Sequence, residues 1–362
     1  MPKKLPHIGD STKRYETWLA AHVSLIPRDL QLKHAQMKAN LFPFFRATYY
    51  RWAEVWPLVC FDATSAPEAL SVGDLHVENF GTWRDSDGRL IWGINDFDEA
   101  SWLPYTNDLV RLLASANVAI DANHIALDRK TASSAILEGY QKCLVGGGRP
   151  FVLAEDHPAL GAMARHRLKE PEKFWAKLNS LAPIKTKIPN SAKKAIARML
   201  PQPDMPHMLV HRIAGLGSLG RERYVGIAEW HGGKIAREAK ALCPSACVFA
   251  KSGKVSNKIL YQEILDKSVR CPDPWVRLRG RWIVRRLAPD CSRIELSALP
   301  AERDEIRLLE AMGYETANIH LGTAKARDLF KDLKKRPAGW LYSAARQMVD
   351  AVTADWERWR RL

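Results

Sequence analysis

Gly73-Asp74-Leu75-His76-Val77-Glu78-Asn79, followed by Asn95-Asp96-Phe97-Asp98-Glu99, is the stretch on which the reading of this 362-residue chain turns. It is the densest polar cluster in an otherwise apolar neighbourhood. Transfer of a phosphoryl group to a hydroxyl needs one carboxylate to accept the proton. It also needs an amide oxygen and a second carboxylate to hold magnesium, and little covalent chemistry beyond that. Asp74 is the expected base, Asn79 and Asp96 the expected metal ligands, and Asp98 a candidate to share the metal with Asp96. Turn-forming Asp and Asn residues between strands would give the same composition, so residue types alone leave both readings open.

Spacing narrows the choice. Asp74 and Asn79 are separated as the Asp and Asn of a kinase catalytic loop are, and Asp96-Phe97-Asp98, 17 residues after Asn79, stands in the place of the metal-binding Asp-Phe-Gly. These residues resemble the aminoglycoside-phosphotransferase branch of the protein-kinase-like superfamily, whose members read His-Gly-Asp-Leu-His and Asp-Phe-Asp. The series Phe44-Phe45-Arg46, Gly73 to Gly81, Asn95 to Ala100, Asp108-Leu109-Val110-Arg111-Leu112 and Gly215 to Gly220 resembles more closely the bacterial family called domain of unknown function 2252. That resemblance spans most of the chain and implies a fold rather than an established activity. One position departs from the kinase pattern: Val72 stands where a kinase places its catalytic-loop histidine, so the loop must be fixed from elsewhere.

A kinase-like site also needs a loop to cover phosphates and a lysine to pair with them. Residues 1 to 70 hold no glycine-rich loop; the candidate is Gly215-Leu216-Gly217-Ser218-Leu219-Gly220, where Gly215, Gly217 and Gly220 free the backbone to approach phosphate and Ser218 adds a hydroxyl. The following Arg221-Glu222-Arg223-Tyr224-Val225 reads as a strand, whereas a dinucleotide-binding loop opens a helix at its last glycine. Twenty residues on, Lys240 ends a second strand-like run and is the expected phosphate lysine; Glu263, within a helical stretch, is its candidate ion-pair partner. Catalytic loop before glycine loop reverses the kinase order, which implies a circular permutation. The expected fold is α+β, a protein-kinase-like two-lobed structure in permuted order. Residues 1–204 would form large-lobe elements, 205–290 a small nucleotide-binding lobe, and 291–362 the hinge and helices returning to the large lobe.

Coarse patterning fills in the elements. Residues 10 to 58 read as helical with breaks near Pro27 and Pro43, and Asp87-Gly88 marks a hairpin turn. Asn107-Asp108 reads as the cap of a helix over Leu109 to Ile120, while Thr131 to Leu144 is a helix stopped by Gly146-Gly147-Gly148. His207 to Ile227, Lys234 to Ala241 and Trp282 to Leu287 read as strands, Lys258 to Val269 as a helix, and Ala301 to Leu362 as helices. Arg46, His76, Glu78, Glu99 and Arg111 are polar residues for which an ion-pair or loop-orienting role and a structural one both fit.

Composition sets the remaining bounds. A hydrophobic share of 46% with 26% charged residues excludes a disordered or fibrous chain. The formal charge of +15 is unevenly placed, because residues 1–145 carry 15 basic and 17 acidic groups while the remainder carries 40 and 23. Basic runs such as Lys193-Lys194 interleave with apolar residues and come with no nucleic-acid motif, so nucleic acid is not the favoured partner. No apolar run is long enough to span a membrane, and the six scattered cysteines fit idle thiols in a reducing cytoplasm. The expected function is a cytoplasmic phosphotransferase that uses ATP and magnesium on a hydroxyl acceptor. The alternatives are an ATP-binding pseudokinase without turnover and a basic protein that binds nucleic acid or an acidic partner. Transfer of AMP instead of phosphate would use the same residues.

Overall fold

The structure, a computed structural model, describes residues 5–153, 157–165, 170–184, 187–202, 204–250, 257–291 and 305–362. Four helices open it: α1 (Ile8–Ala20), α2 (Pro27–Ala39), α3 (Leu41–Ala47) and α4 (Tyr49–Val59). Pro27 does start α2, but Pro43 does not break the chain. It stands in the first turn of α3, where a missing N–H costs no helical bond. The actual break is Asn40, extended at φ −150° and ψ 146°, whose side chain accepts from the Phe42 amide at 3.0 Å.

Next come β1 (Glu68–Ser71), β2 (Phe80–Arg84), β3 (Leu90–Ile94) and β4 (Ser101–Pro104). β2 and β3 form the hairpin about Asp87-Gly88, with Gly88 at φ 76°. β4 carries no sequence signal of its own; it is recruited as the antiparallel partner of β1. α5 (Thr106–Asp121) is buried along almost its whole length, and α6 (Arg129–Gly146) runs from an Asp128 cap to Gly147 at φ 78°. Asp108 is therefore not a cap: α5 begins two residues earlier, and the carboxylate turns inward. β5 (Phe151–Val152) adds to β3, and α7 (Pro158–Arg165), α8 (Pro171–Asn179) and α9 (Asn190–Ala197) follow.

The second half begins with β6 (Met208–His211), β7 (Arg223–Trp230) and β8 (Gly233–Ala241), with the glycine loop between β6 and β7. α10 (Ala246–Ala250), α11 (Tyr261–Lys267), β9 (Arg277–Arg279) and β10 (Trp282–Leu287) complete an antiparallel sheet of order β6-β7-β8-β10-β9. Alternation gives the sheet two faces. Tyr224, Ala228, Ala239 and Trp282 lie on one, with α9 against it: a Cβ on Gly226 would sit 2.6 Å from Ile196. On the other, Val210, Val225, Ile227 and Ala236 pack on Phe174 and Leu178 of α8. Glu238 and Lys240 continue that second face, since their register partners are Val225 and Arg223.

α12 (Glu305–Leu321), α13 (Ala326–Lys335) and α14 (Trp340–Arg360) end the chain; Ala301, where the helices were expected to start, lies outside the described residues. α14 packs beside the N-terminal helices, where Arg51 Nε donates to Asp355 at 2.7 Å and Trp356 to the Met37 carbonyl at 3.1 Å. α12 and α6 cross at glycines. A Cβ on Gly139 would lie 1.8 Å from the Glu310 carbonyl oxygen, and one on Gly313 2.0 Å from that of Ile136. Gly139→Ala must push two backbones apart, an overpacking that costs about 3 kcal/mol. A fall in Tm of several degrees by calorimetry is expected. Gly233→Ala, whose Cβ meets nothing nearer than 3.8 Å, is the control that should barely move it.

Candidate functional site

Gly73 to Asn79 follows β1 as a tight loop held from below. Gly73 sits at φ 81°, and a Cβ there would lie 2.4 Å from the Glu99 carbonyl oxygen, so only glycine fits. Asp108 accepts from the Val72 amide at 2.7 Å and the Gly73 amide at 3.0 Å. Behind it, His320 Nε2 lies 3.2 Å from the same carboxylate, and His320 Nδ1 pairs with the Tyr140 hydroxyl at 2.9 Å. A carboxylate below the loop thus supplies the fixing hydrogen bonds that the Val72 side chain cannot. Asn79 closes the loop by accepting from the His76 amide at 2.8 Å, which uses one of the two lone pairs on its amide oxygen.

Asp74 stands at the head of this loop. Arg111, 1% exposed, donates to Asp74 Oδ1 through Nε at 2.9 Å and again through its terminal nitrogen, with its guanidinium 4.2 Å from the centroid of Phe45 and 4.8 Å from that of Trp52. That aromatic cage fixes Arg111 and, through it, the Asp74 rotamer. Burial pushes the Asp74 carboxyl up to about 7 against the pull of Arg111, with Glu99 and Asp96 adding to the rise. Its second oxygen faces the glycine loop: a Cβ on Gly217 would lie 3.6 Å from Oδ2.

Asp96 and Asp98 follow β3 and meet Lys240 of β8, at 3.2 Å and 2.5 Å respectively. Asp98 is raised to about 6, by burial first and by Asp96, against Lys240 and Arg221. Arg221 is a further buried cation here. It donates to Glu99 at 3.3 Å and to the Tyr15 hydroxyl at 3.2 Å, and lies 3.9 Å from Asp98. Glu99 is in turn fixed by the Ala246 amide at 2.6 Å, so it ties the loop after β3 to the helix after β8.

The glycine loop does not hang free over this cluster. Gly215 (φ 72°) and Gly220 (φ 94°) turn the chain around a 3-10 turn at Leu216–Ser218, and Leu216 and Leu219 are buried with Ile8, Met37 and Phe44. Lys33 of α2 donates to the Gly217 carbonyl at 3.2 Å, and the Ile26 amide to the Gly220 carbonyl at 2.7 Å. Burial lowers Lys33 to about 8, with Arg221 adding to the effect. Ser218 accepts from Arg223 at 2.7 Å, which links the loop to β7.

Asp74, Asn79, Asp96, Asp98, Gly215, Gly217 and Ser218 line one crevice; Lys240 is not in the lining but pairs with two of these aspartates, and Gly220 packs against Leu30 outside it. Glu263 is not brought in. α11 turns Tyr261 and Ile264 inward, which points Glu263 outward to a pair with Lys267 at 2.6 Å. Tyr261 takes the inner place, its ring packed on Phe97 and its hydroxyl 3.4 Å from the Asn95 carbonyl. Arg46, at the rim, pairs with Glu78. Sequence reasoning gave Lys33, Tyr261 and Arg221 no role. A lysine breaking the apolar side of α2 and an arginine directly after the loop's last glycine were the only available signals.

Free space in the crevice is about 40 Å³, room for little more than a water molecule. Beside it, across Gly215, opens a cavity of about 720 Å³ between β10, α11 and the Asn95–Phe97 segment. Three of its lining arginines converge on Glu238, fully buried behind the wall and contacted by Arg212 at 2.6 Å, Arg223 at 2.9 Å and Arg285 at 2.9 Å. Burial alone would raise the Glu238 carboxyl; Arg223, Arg285 and Arg212 overcome it and hold the group well below its usual range. Among the described residues, no three His, Cys, Asp or Glu side chains stand together in metal-ligating geometry, and no helix is long and apolar enough to cross a membrane.

Residues 25–145 match the model of a family described as "Uncharacterized protein conserved in bacteria (DUF2252)". That third of the chain is similar to the family over the part that carries Arg46, Asp74, Asn79, Asp96, Asp98, Asp108 and Arg111, whereas Gly215–Gly220 and Lys240 lie beyond it. No curated protein and no solved structure matches the chain.

Proposed function

We propose that the protein is a kinase-like phosphotransferase that moves a phosphorus group from ATP, with magnesium, to an acceptor hydroxyl. One observation carries the reading: Asp74 and Asn79 from one loop, Asp96 and Asp98 from a second, and the glycine loop with Lys240 from a third segment more than 100 residues away converge on one crevice. Chain order supports a permuted kinase-like arrangement, since strand, glycine loop, strand and lysine-bearing strand occur as neighbours β6, β7 and β8 of one sheet but follow the carboxylates in sequence.

The residues fit a divalent cation. Asp98 Oδ1 is buried without a hydrogen bond of good geometry, its charge met by the Lys240 ammonium at 2.5 Å and by Arg221, 3.9 Å from the other oxygen. Magnesium is commonly held by one or two carboxylates with waters and substrate phosphates, so two aspartates and the Asn79 amide suffice. When bound, it would neutralise charge on the phosphate oxygens. The chain itself supplies Asp74 Oδ2 to accept the hydroxyl proton and Arg111 to hold Asp74 in place. Gly217 leaves the backbone clear beside them. Entry of a triphosphate requires the glycine loop to lift from α3, because the crevice is otherwise too small.

Titration calorimetry tests this. ATP should bind wild type in a magnesium-dependent manner, and Lys240→Ala and Asp96→Ala should each weaken it tenfold or more. Absence of ATP binding to the wild type would overturn the reading.

A further inference from the structure

The wide cavity has the wrong lining for a purine. Base pockets are largely apolar with a few placed polar groups, whereas Arg212, Arg223, Arg270, Arg285 and Arg286 converge here. Glu238, behind the lining, pairs with Arg212, Arg223 and Arg285; the lining itself holds two aspartates, Asp266 and Asp273, against these five arginines, Lys177 and Arg277. Four positive charges are left over. Among the described residues, Arg286 Nε and Nη2 and Arg270 Nε are buried with no nitrogen or oxygen acceptor; the Cys291 thiol lies beside Arg286, and Arg270, whose Nη1 donates to the Ile94 carbonyl at 3.1 Å, stands 4.7 Å from the Trp83 ring centroid and 5.2 Å from that of Phe97. Buried donors without acceptors are costly, and planar guanidiniums of this kind match phosphate oxygens in pairs. Gly215 borders both spaces, so a chain of phosphates can run from the arginines into the crevice.

We propose that this cavity holds the β- and γ-phosphates of the nucleotide, which places the α-phosphorus at the carboxylate crevice and makes the transferred group the nucleotidyl group. The inference rests on the phosphorus-transfer reading above and fixes which phosphorus reacts. The acceptor oxygen bonds to the α-phosphorus and its proton passes to Asp74. The bond between the α-phosphorus and the bridging oxygen breaks, and pyrophosphate leaves with that electron pair into the arginine cavity.

The test uses the full chain, with Arg286→Ala as the variant and Arg286→Gln as a second, more conservative one should the first not fold. Inorganic pyrophosphate and AMP are titrated separately in the presence of magnesium, and ATP products are separated after incubation with water as acceptor. Pyrophosphate affinity should fall tenfold or more in the variant while AMP affinity holds, and products should be AMP and pyrophosphate. ADP and inorganic phosphate as products, or pyrophosphate affinity unchanged by the substitution, would overturn the proposal while ATP binding still upheld the transferase. Where turnover is undetectable, the pyrophosphate titration decides. A wild type that binds no ATP removes the transferase reading itself.

Discussion

Asp74→Asn is expected to lower transfer by about 10²- to 10⁴-fold, the usual worth of a positioned general base, while nucleotide binding changes little. Asparagine keeps an oxygen for the Arg111 donors and removes only the ability to take a proton. The pH profile makes the assignment specific. Because the Asp74 carboxyl is raised to about 7, the fraction able to act as base grows as pH rises towards that value and then saturates. Rate should increase about tenfold per pH unit below 7 and level off above it. The same shift has a stability sign: the folded state holds this proton more tightly than the unfolded chain, so Asp74 favours the fold at low pH and loses that contribution as pH climbs through 7. Residual activity in Asp74→Asn should lack the rise across 7. A variant with wild-type turnover would show that another group takes the proton.

The carboxylates of this site were readable because they are local. Asp74, Asn79, Asp96 and Asp98 lie within 25 residues, on two loops that a short window of sequence singles out whatever the rest of the chain does. Lys240 was readable for a similar reason: strand alternation fixes its face once the glycine loop is placed. Glu263 was not, since a helix position is chosen by which side chains are apolar, and Tyr261 and Ile264 turned α11 so that position 263 met solvent. Asp108 looked like a cap because Asn and Asp before an apolar run usually are. Its inward turn depends on β1 and β4 pairing to bring the Val72 and Gly73 amides overhead, a contact across 35 residues that no window contains. The arginine cavity was the least legible feature of all. Its arginines come from the residue after β6, from β7, from β10 and from the stretch after α11, and only the sheet order and the packing of α11 make them neighbours.

Glu238→Ala should be the most destabilising single change in the five-stranded sheet. It leaves Arg212, Arg223 and Arg285 facing one another with their common carboxylate gone, and breaking a buried ion pair from one side costs about 3 to 5 kcal/mol. Urea unfolding reads the loss directly. Its pH dependence has a defined sign: a carboxyl held well below its usual value contributes fully above pH 4.5 and is lost as pH falls beneath it, so the acid limb of wild-type stability should flatten in the variant. Glu238→Gln separates structure from ligand. It keeps the shape and two polar atoms but removes one negative charge, so the sheet should weaken less than with alanine, while three lining arginines lose the counter-charge behind them. Pyrophosphate should then bind more tightly to a less stable protein. A pure scaffold cluster predicts the opposite, with stability and affinity falling together, and that result would mean the arginines serve the sheet alone.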